Sequence, residues 1–152
     1  MKLRINYNKF NNYGKQIYRK SEQSFDFEPD INSDFSLMLG TSYVGIETDL
    51  STGKLLYLSG FSPMKSWEKS KLILPDFVDG TIYIEELKDC YAGMGISIGS
   101  DFRALYDENI GLICFLCGEN IVYNNCVRIS PDVVIAIKEN NIVAIWTKPI
   151  IL

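Results

Sequence analysis

The sequence contains no histidine among its 152 residues. Histidine is the side chain that most often changes its charge near neutral pH. Its absence excludes Ser-His and Cys-His nucleophilic catalysis and the common mixed zinc sites. Catalysis would have to rely on carboxylates, lysine or tyrosine. We expect no cofactor.

Long apolar runs are also missing. No stretch of about 18 apolar residues occurs, so the sequence predicts no transmembrane helix. The first twenty residues are basic and lack the apolar core of a signal peptide. Four cysteines without a secretory signal are typical of reduced thiols. These features predict a cytoplasmic protein with no membrane partner.

Three short motifs resemble metal or phosphate sites but depart from the required pattern. Cys114 and Cys117 lie in an apolar run, and in a strand they would point to opposite faces, which predicts buried thiols and not zinc ligands. The glycine-rich stretch 93–99 leads into no helical pattern, so it does not fit a phosphate loop. The acidic stretch 26–30 is followed by neither the glycine nor the glutamate of a calcium loop. We predict no metal site.

Short apolar runs separated by turn residues dominate the rest of the chain. Two pairs of runs predict β-hairpins, one over residues 43–59 and one over 133–147. Similar runs recur at a spacing of about 8–14 residues, with almost no helical periodicity. The sequence therefore predicts an all-β fold: an antiparallel β-sandwich or partly closed barrel of about nine or ten short strands with little helix. We expect one β-rich domain over residues 1–152.

The region 111–147 is the most apolar of the chain. Its four runs predict four antiparallel strands in a meander, and because the runs are apolar on both faces, we expect a second layer to cover the sheet. The polar stretch 21–34 contains Pro29 and five acids, and we predict it to be a loop.

Charge is distributed unevenly along the chain. The first twenty residues carry six basic groups and no acid, whereas residues 72–119 carry nine acids against Lys88 and Arg103. An acidic field repels nucleic acid and attracts basic proteins. A solvated surface without a partner is the alternative explanation. Nucleic acid is excluded as the expected partner in either case.

Several short strings resemble a known family. They are residues 58–63 (LSGFSP), Trp67, Pro75, residues 80–83 (GTIY) and the pair Ile145-Trp146. Across residues 35–147 the chain resembles bacterial immunity proteins of contact-dependent growth inhibition and related polymorphic toxin systems. The resemblance implies an inhibitor that is not an enzyme. It would bind a cognate basic toxin domain, commonly a nuclease such as an RNase, and cover its active site with acidic side chains.

Acidic and aromatic side chains occur together in the loops 85–91 and 99–109, which suits a basic protein partner. The predicted partner-binding residues are Glu85, Glu86, Asp89, Tyr91, Asp101, Tyr106, Asp107 and Glu108. The acidic stretch 26–34 is the alternative interface.

Two other functions fit the composition. The first is a β-barrel or sandwich module that binds a small ligand or glycan through its nine tyrosines. A deep tyrosine-lined cavity would favour it. The second is a carboxylate-based hydrolase, which would need two carboxylates facing each other across a groove.

Overall fold

Two seven-stranded sheets pack face to face in the computed structural model, which describes residues 1–8, 10, 12–87, 89–120 and 122–152. The strands are β1 Lys2–Asn6, β2 Lys15–Arg19, β3 Ser24–Glu28, β4 Phe35–Leu39, β5 Tyr43–Thr48, β6 Leu55–Phe61, β7 Glu68–Lys69, β8 Val78–Asp79, β9 Thr81–Glu85, β10 Met94–Ile98, β11 Phe102–Asp107, β12 Leu112–Cys117, β13 Asn125–Ser130, β14 Val133–Lys138, β15 Asn141–Thr147 and β16 Ile150–Ile151. Helix within these ranges is limited to one 3₁₀ turn, Met64–Ser66. The predicted all-β sandwich is confirmed.

The front sheet has the strand order β10-β4-β5-β6-β3-β2-β16, and the back sheet has the order β7-β11-β12-β15-β14-β13-β8. Neighbouring strands run antiparallel in the middle of both sheets. The outermost strand at each of the four edges runs parallel to its neighbour. The two partners of each parallel pair are far apart in the sequence.

Both predicted hairpins form. β5 and β6 pair from Tyr43 to Thr48, and β14 and β15 pair around a two-residue turn. The turn residues Glu139 and Asn140 have φ values of 48° and 66°. Positive φ at both central residues is the geometry that matches the right-handed twist of a hairpin, and asparagine tolerates it.

An aromatic cluster fills one end of the space between the sheets. The ring of Trp67 lies 4.7 Å from that of Tyr18 and 5.1 Å from that of Tyr106, measured between centroids. Phe25 from the front sheet contacts Phe115 from the back sheet at 5.6 Å. Edge-to-face contacts of this kind join the sheets, since each ring comes from a different strand or loop.

The outer face of the back sheet is apolar as well. Its buried side chains include Cys114, Cys126 and Trp146, and the segment 70–77, which we call the strap, crosses it. β7 and β8 hold the two ends of the strap at opposite edges of the sheet. The apolar strands of 111–147 are therefore covered on one face by the front sheet and on the other by the strap.

A third, two-stranded sheet pairs β1 with β9, from Lys2 opposite Glu85 to Asn6 opposite Thr81. Ile82 and Ile84 of β9 are buried in the core between the large sheets. This small sheet fixes the first residues of the chain against the sandwich.

Three expectations need correction. The region 111–147 is not a meander, because β12 pairs with β15 and not with β13. The stretch 21–34 is not all loop, because it contains β3, in which Phe25 and Phe27 are buried and alternate with polar residues. The strand number is sixteen within the described ranges, since short edge strands add to those predicted from apolar runs.

Candidate protein-interaction site

Many of the surface acids already have partners within the chain. Arg19 pairs with Asp26 and Glu28, and Arg128 pairs with Asp79 at 2.8 Å. Arg103 pairs with Glu68, Lys69 with Glu108, and both Lys2 and Arg4 with Glu85. These acids contribute less field to the surroundings than their number suggests.

The loop between β9 and β10 presents acids outward. Glu86 and Asp89 are exposed and have φ values of 63° and 62°. Between them, Leu87 packs on the core, as does Cys90. These contacts hold Leu87 and Cys90 against the core, whereas the carboxylates of Glu86 and Asp89 are exposed. Tyr91 follows in the same loop with 66% of its surface exposed.

Contacts of the N-terminal residues bring further acids to this loop. Leu3 donates its backbone N–H to Asn140 Oδ1 at 3.0 Å, and Lys2 lies 3.5 Å from Glu85. Met1 lines a groove of about 410 Å³ together with Ser100 and Asn141. The β9–β10 loop, the β10–β11 turn and the tip of the β14–β15 hairpin are therefore neighbours around the chain's first residues.

The β12 end joins the same region, because the register of β11 and β12 places Phe102 opposite Cys117. We call the resulting surface the acidic rim. It consists of Glu85, Glu86, Asp89, Tyr91, Asp101, Glu119 and Glu139. All of its acids except Glu85 lack an ion pair with any residue in the described ranges.

A glycine holds the β10–β11 turn in place. Gly40, at the end of β4, has φ of 58° and donates its N–H to Ile98 O at 2.9 Å. A Cβ at this position would overlap the backbone carbonyl of Ser100. The close approach needs glycine, and it fixes Asp101 at the far end of β10 from Asp89.

The structure does not bring the predicted residues Tyr106, Asp107 and Glu108 to the acidic rim. They lie at the other end of β11, about 20 Å from Asp101 along the strand. Tyr106 packs on Trp67.

Asp107 is only 6% exposed and accepts the N–H of Leu72 at 3.0 Å and that of Asn109 at 3.1 Å. Its carboxylate holds the strap on the back sheet. Glu108 pairs with Lys69 beside it. The carboxylate of Asp107 is therefore not available to a partner, although it belongs to the predicted set.

Glu119 and Glu139 were not among the predicted residues. Glu119 follows an apolar strand and Glu139 sits in a hairpin turn, so both are acids at strand ends. Their closeness to Asp101 and Glu85 depends on the pairing of β12 with β15 and on the position of β1. The sequence shows that both acids lie at the ends of predicted strands. It does not show that they lie close together on one surface.

The alternative acidic stretch 26–34 has less free charge. Asp26 and Glu28 share Arg19, and Asp34 Oδ1 accepts the N–H of Leu50 at 2.7 Å. Within the described ranges, Asp30 has no ion pair.

An aromatic cleft of about 490 Å³ opens between the sheets beside the first residues of β5 and of β11. Tyr43 and Phe61 form its mouth, with ring centroids 6.5 Å apart and exposed fractions of 74% and 44%. Arg103 and Glu68 pair at 3.2 Å on its rim. Among the residues in the described ranges, Tyr43 is the one tyrosine that lines this cleft. The cleft therefore differs from the tyrosine-lined cavity that would favour a ligand-binding module.

The four cysteines are free thiols. Burial raises the pKa of Cys114 to about 12 and that of Cys126 to about 11. Both face the strap side of the back sheet, whereas Cys117 lines the groove beside Met1. Among the residues that the structure describes, no group of three or more acids and cysteines is arranged to hold a metal ion.

No helix in the described part of the chain is long and apolar enough to cross a bilayer. A scan of the sequence against models of protein families gives no match. A search of curated proteins gives no significant match either.

Proposed function

We propose that this chain is a cytoplasmic bacterial immunity protein, and that its acidic rim binds a basic toxin domain. The observation that supports this most is the gathering of acids from four separate segments around the chain's first residues; within the described ranges, all of them except Glu85 lack an ion pair. The six acids of the rim stand against four basic side chains, Lys2, Arg4, Lys88 and Lys138, and the amino group of Met1. The rim therefore keeps a small negative balance after its ion pairs are counted.

In the proposed mechanism, the negative charge of the acidic rim is complementary to the positive charge of the toxin's active-site surface. The active-site surface of a nuclease that binds a polyanion is expected to be basic. Carboxylates spread along a surface about as wide as one strand and its flanking loops can occupy the phosphate-binding positions and exclude the substrate. Opposite fields also raise the association rate, by up to a factor of about 100 at low salt. No chemical step by this chain is needed.

The backbone around the rim favours recognition with little loss of entropy. Gly40 fixes the β10–β11 turn, Leu87 anchors the β9–β10 loop, and Asn140 binds the backbone of Leu3. Side chains carried on ordered backbone lose less freedom on binding than those on a flexible loop. Tyr91 adds an exposed ring of the kind enriched at interfaces.

The test begins with capture of partners from the native bacterium at about 50 mM and about 300 mM salt. Each captured basic protein is then produced in a bacterial host with and without this chain. We expect one of them to arrest growth, and we expect the chain to restore it. If no captured protein arrests growth that the chain relieves, the proposal is wrong.

Charge reversal then tests the placement of the interface. The variant Glu86→Lys/Asp101→Lys/Glu119→Lys is expected to lose affinity about 10- to 100-fold at low salt. The matched control is Glu22→Lys/Asp30→Lys/Asp76→Lys, which changes the net charge equally. Its three side chains are exposed and lie outside the rim. Equal losses in the two variants would show that net charge, and not the rim, determines binding.

The aromatic cleft supports a second candidate function, the binding of a small aromatic or sugar ligand. Its volume of about 490 Å³ lies in the range of small-molecule sites. A thermal-shift screen with small aromatic compounds and oligosaccharides tests it. We expect a stabilising compound to lose its effect in Tyr43→Ala but not in the control Tyr13→Ala, whose ring is exposed elsewhere.

A further inference from the structure

The edge formed by β10 differs from the other three edges of the large sheets. β7, β8 and β16 have two residues each, whereas β10 has five, Met94–Ile98. Short edge strands, prolines, lysines and bulges are the usual protection against pairing with another chain. β10 has none of these, and its register with β4 is unbroken.

The pairing of β10 with β4 determines which backbone N–H and C=O groups of β10 face outward. Ile98 O accepts the N–H of Gly40, so Ile98 is bonded to the β4 side. In a parallel pair such residues alternate with residues whose N–H and C=O point away. Gly95 and Ser97 therefore present their backbone groups at the open edge, and both residues are exposed. No backbone bond from elsewhere in the described ranges reaches these groups.

Acids stand at both ends of this edge. Asp89 and Tyr91 precede its first residue, and Asp101 follows its last. The groove that Met1 shares with Ser97 lies beside the far end. A segment that adds to the edge would therefore pass between carboxylates and could place one long side chain in the groove of about 410 Å³.

The charges distinguish between two possible occupants. A second copy would pair about a two-fold axis, and the Asp89 end of one β10 would then meet the Asp101 end of the other. Like charges at both ends of such a pair are destabilising. A segment with lysine or arginine at its ends gains ion pairs at both.

We propose that β10 binds an extended basic segment of the partner protein as an additional strand. This rests on the proposed function for the partner's identity, but the strand addition itself is independent of whether that partner is a toxin. Main-chain hydrogen bonds from Gly95 and Ser97 supply affinity, and the flanking acids supply the choice of a basic sequence.

The experiment uses a displayed library of random twelve-residue peptides selected on the full chain. We expect the selected peptides to be enriched in lysine, arginine and β-branched residues. Ser97→Pro removes one outward N–H and no bond to β4, and we expect it to weaken peptide binding at least tenfold. Ser97→Ala keeps the N–H and is expected to bind as the wild type does.

Amide hydrogen exchange supplies a readout that does not depend on the proline variant. The N–H groups of Gly95 and Ser97 are expected to exchange fast in the free chain and to become protected when a selected peptide binds. Selection of no basic peptide, or unchanged exchange at both amides on binding, would overturn the proposal. Dimerisation of the free chain that Ser97→Pro abolishes would also overturn it, since the edge would then belong to a second copy. A failure of the growth test with success here would refute only the immunity function.

Discussion

The buried amide of Gln16 offers a sharp test of how the front sheet is held together. β3 and β6 pair only at Ser24 and Phe25, and beyond these residues the ladder opens. Gln16 is fully buried beside the opening. Its Nε2 donates to Asp26 O at 2.8 Å and to Leu58 O at 2.7 Å, and its Oε1 accepts the N–H of Leu58 at 3.0 Å. The side chain replaces the missing ladder bonds.

Replacement of Gln16 by leucine keeps the volume and removes all three bonds. One N–H and two C=O groups of β3 and β6 are then buried without a partner. Each such group costs about 1–3 kcal/mol, and the apolar side chain recovers part of this. We expect the free energy of unfolding to fall by about 3–5 kcal/mol. At about 2–4 °C per kcal/mol for a chain of this size, Tm falls by about 10 °C.

Urea unfolding followed by tryptophan fluorescence measures the change, because Trp67 and Trp146 are both buried. Gln23→Leu is the matched control: it is the same substitution at an exposed turn position, and we expect a change within about 0.5 kcal/mol. A loss below about 1 kcal/mol for Gln16→Leu would refute the reasoning, since the backbone groups would then have found other partners.

Two further predictions concern the back sheet. Arg128→Lys loses the two bonds to Asp79, at 2.8 and 3.1 Å, and the stacking on Phe77, so we expect a loss of about 1–2 kcal/mol in urea unfolding; an unchanged midpoint would contradict it. The raised pKa values of Cys114 and Cys126 mean that the unfolded thiols ionise first, so these two groups lower the free energy of unfolding as the pH rises through about 9 and beyond. The unfolded thiols are about half ionised at pH 9, so between pH 9 and 10 we expect a loss of about 1 kcal/mol per thiol. Urea unfolding at both pH values measures it, and we expect a smaller loss in Cys114→Ala.

The elements that the sequence predicts correctly are those whose signal is local. The hairpins of 43–59 and 133–147 have alternating or β-branched strands next to turn residues that accept positive φ. β3 also alternates, as Ser24-Phe-Asp-Phe-Glu28, but its acids and the following proline suggested a loop. Arg19 neutralises both acids from the neighbouring strand, which a single segment does not reveal.

Strand order is set by contacts between distant segments. All four strands of the region 111–147 bury apolar side chains on both faces, so this pattern does not distinguish the pairing of β12 with β15 from the meander expected from chain order. Contacts between distant segments also determine which of the predicted site residues lie together. Glu85, Glu86, Asp89, Tyr91 and Asp101 were predicted from local charge, and they lie around one surface. Local charge also predicts Asp107, but the Leu72 N–H that its carboxylate accepts belongs to a segment 35 residues away in the sequence.

The parallel strands at the sheet edges have a kinetic consequence. β16 pairs with β2, from which it is separated by most of the sequence, and β10 pairs with β4, from which it is also far in the sequence. Chains dominated by such non-local pairing fold in milliseconds to seconds, because each loop must close before its contacts form. Before β7 and β8 pair with the back sheet, the strap does not cover its outer face. Cys114, Trp146 and their apolar neighbours are then exposed to solvent. Newly synthesised chains therefore pass through an aggregation-prone interval, and slower synthesis at low temperature is expected to raise the soluble yield.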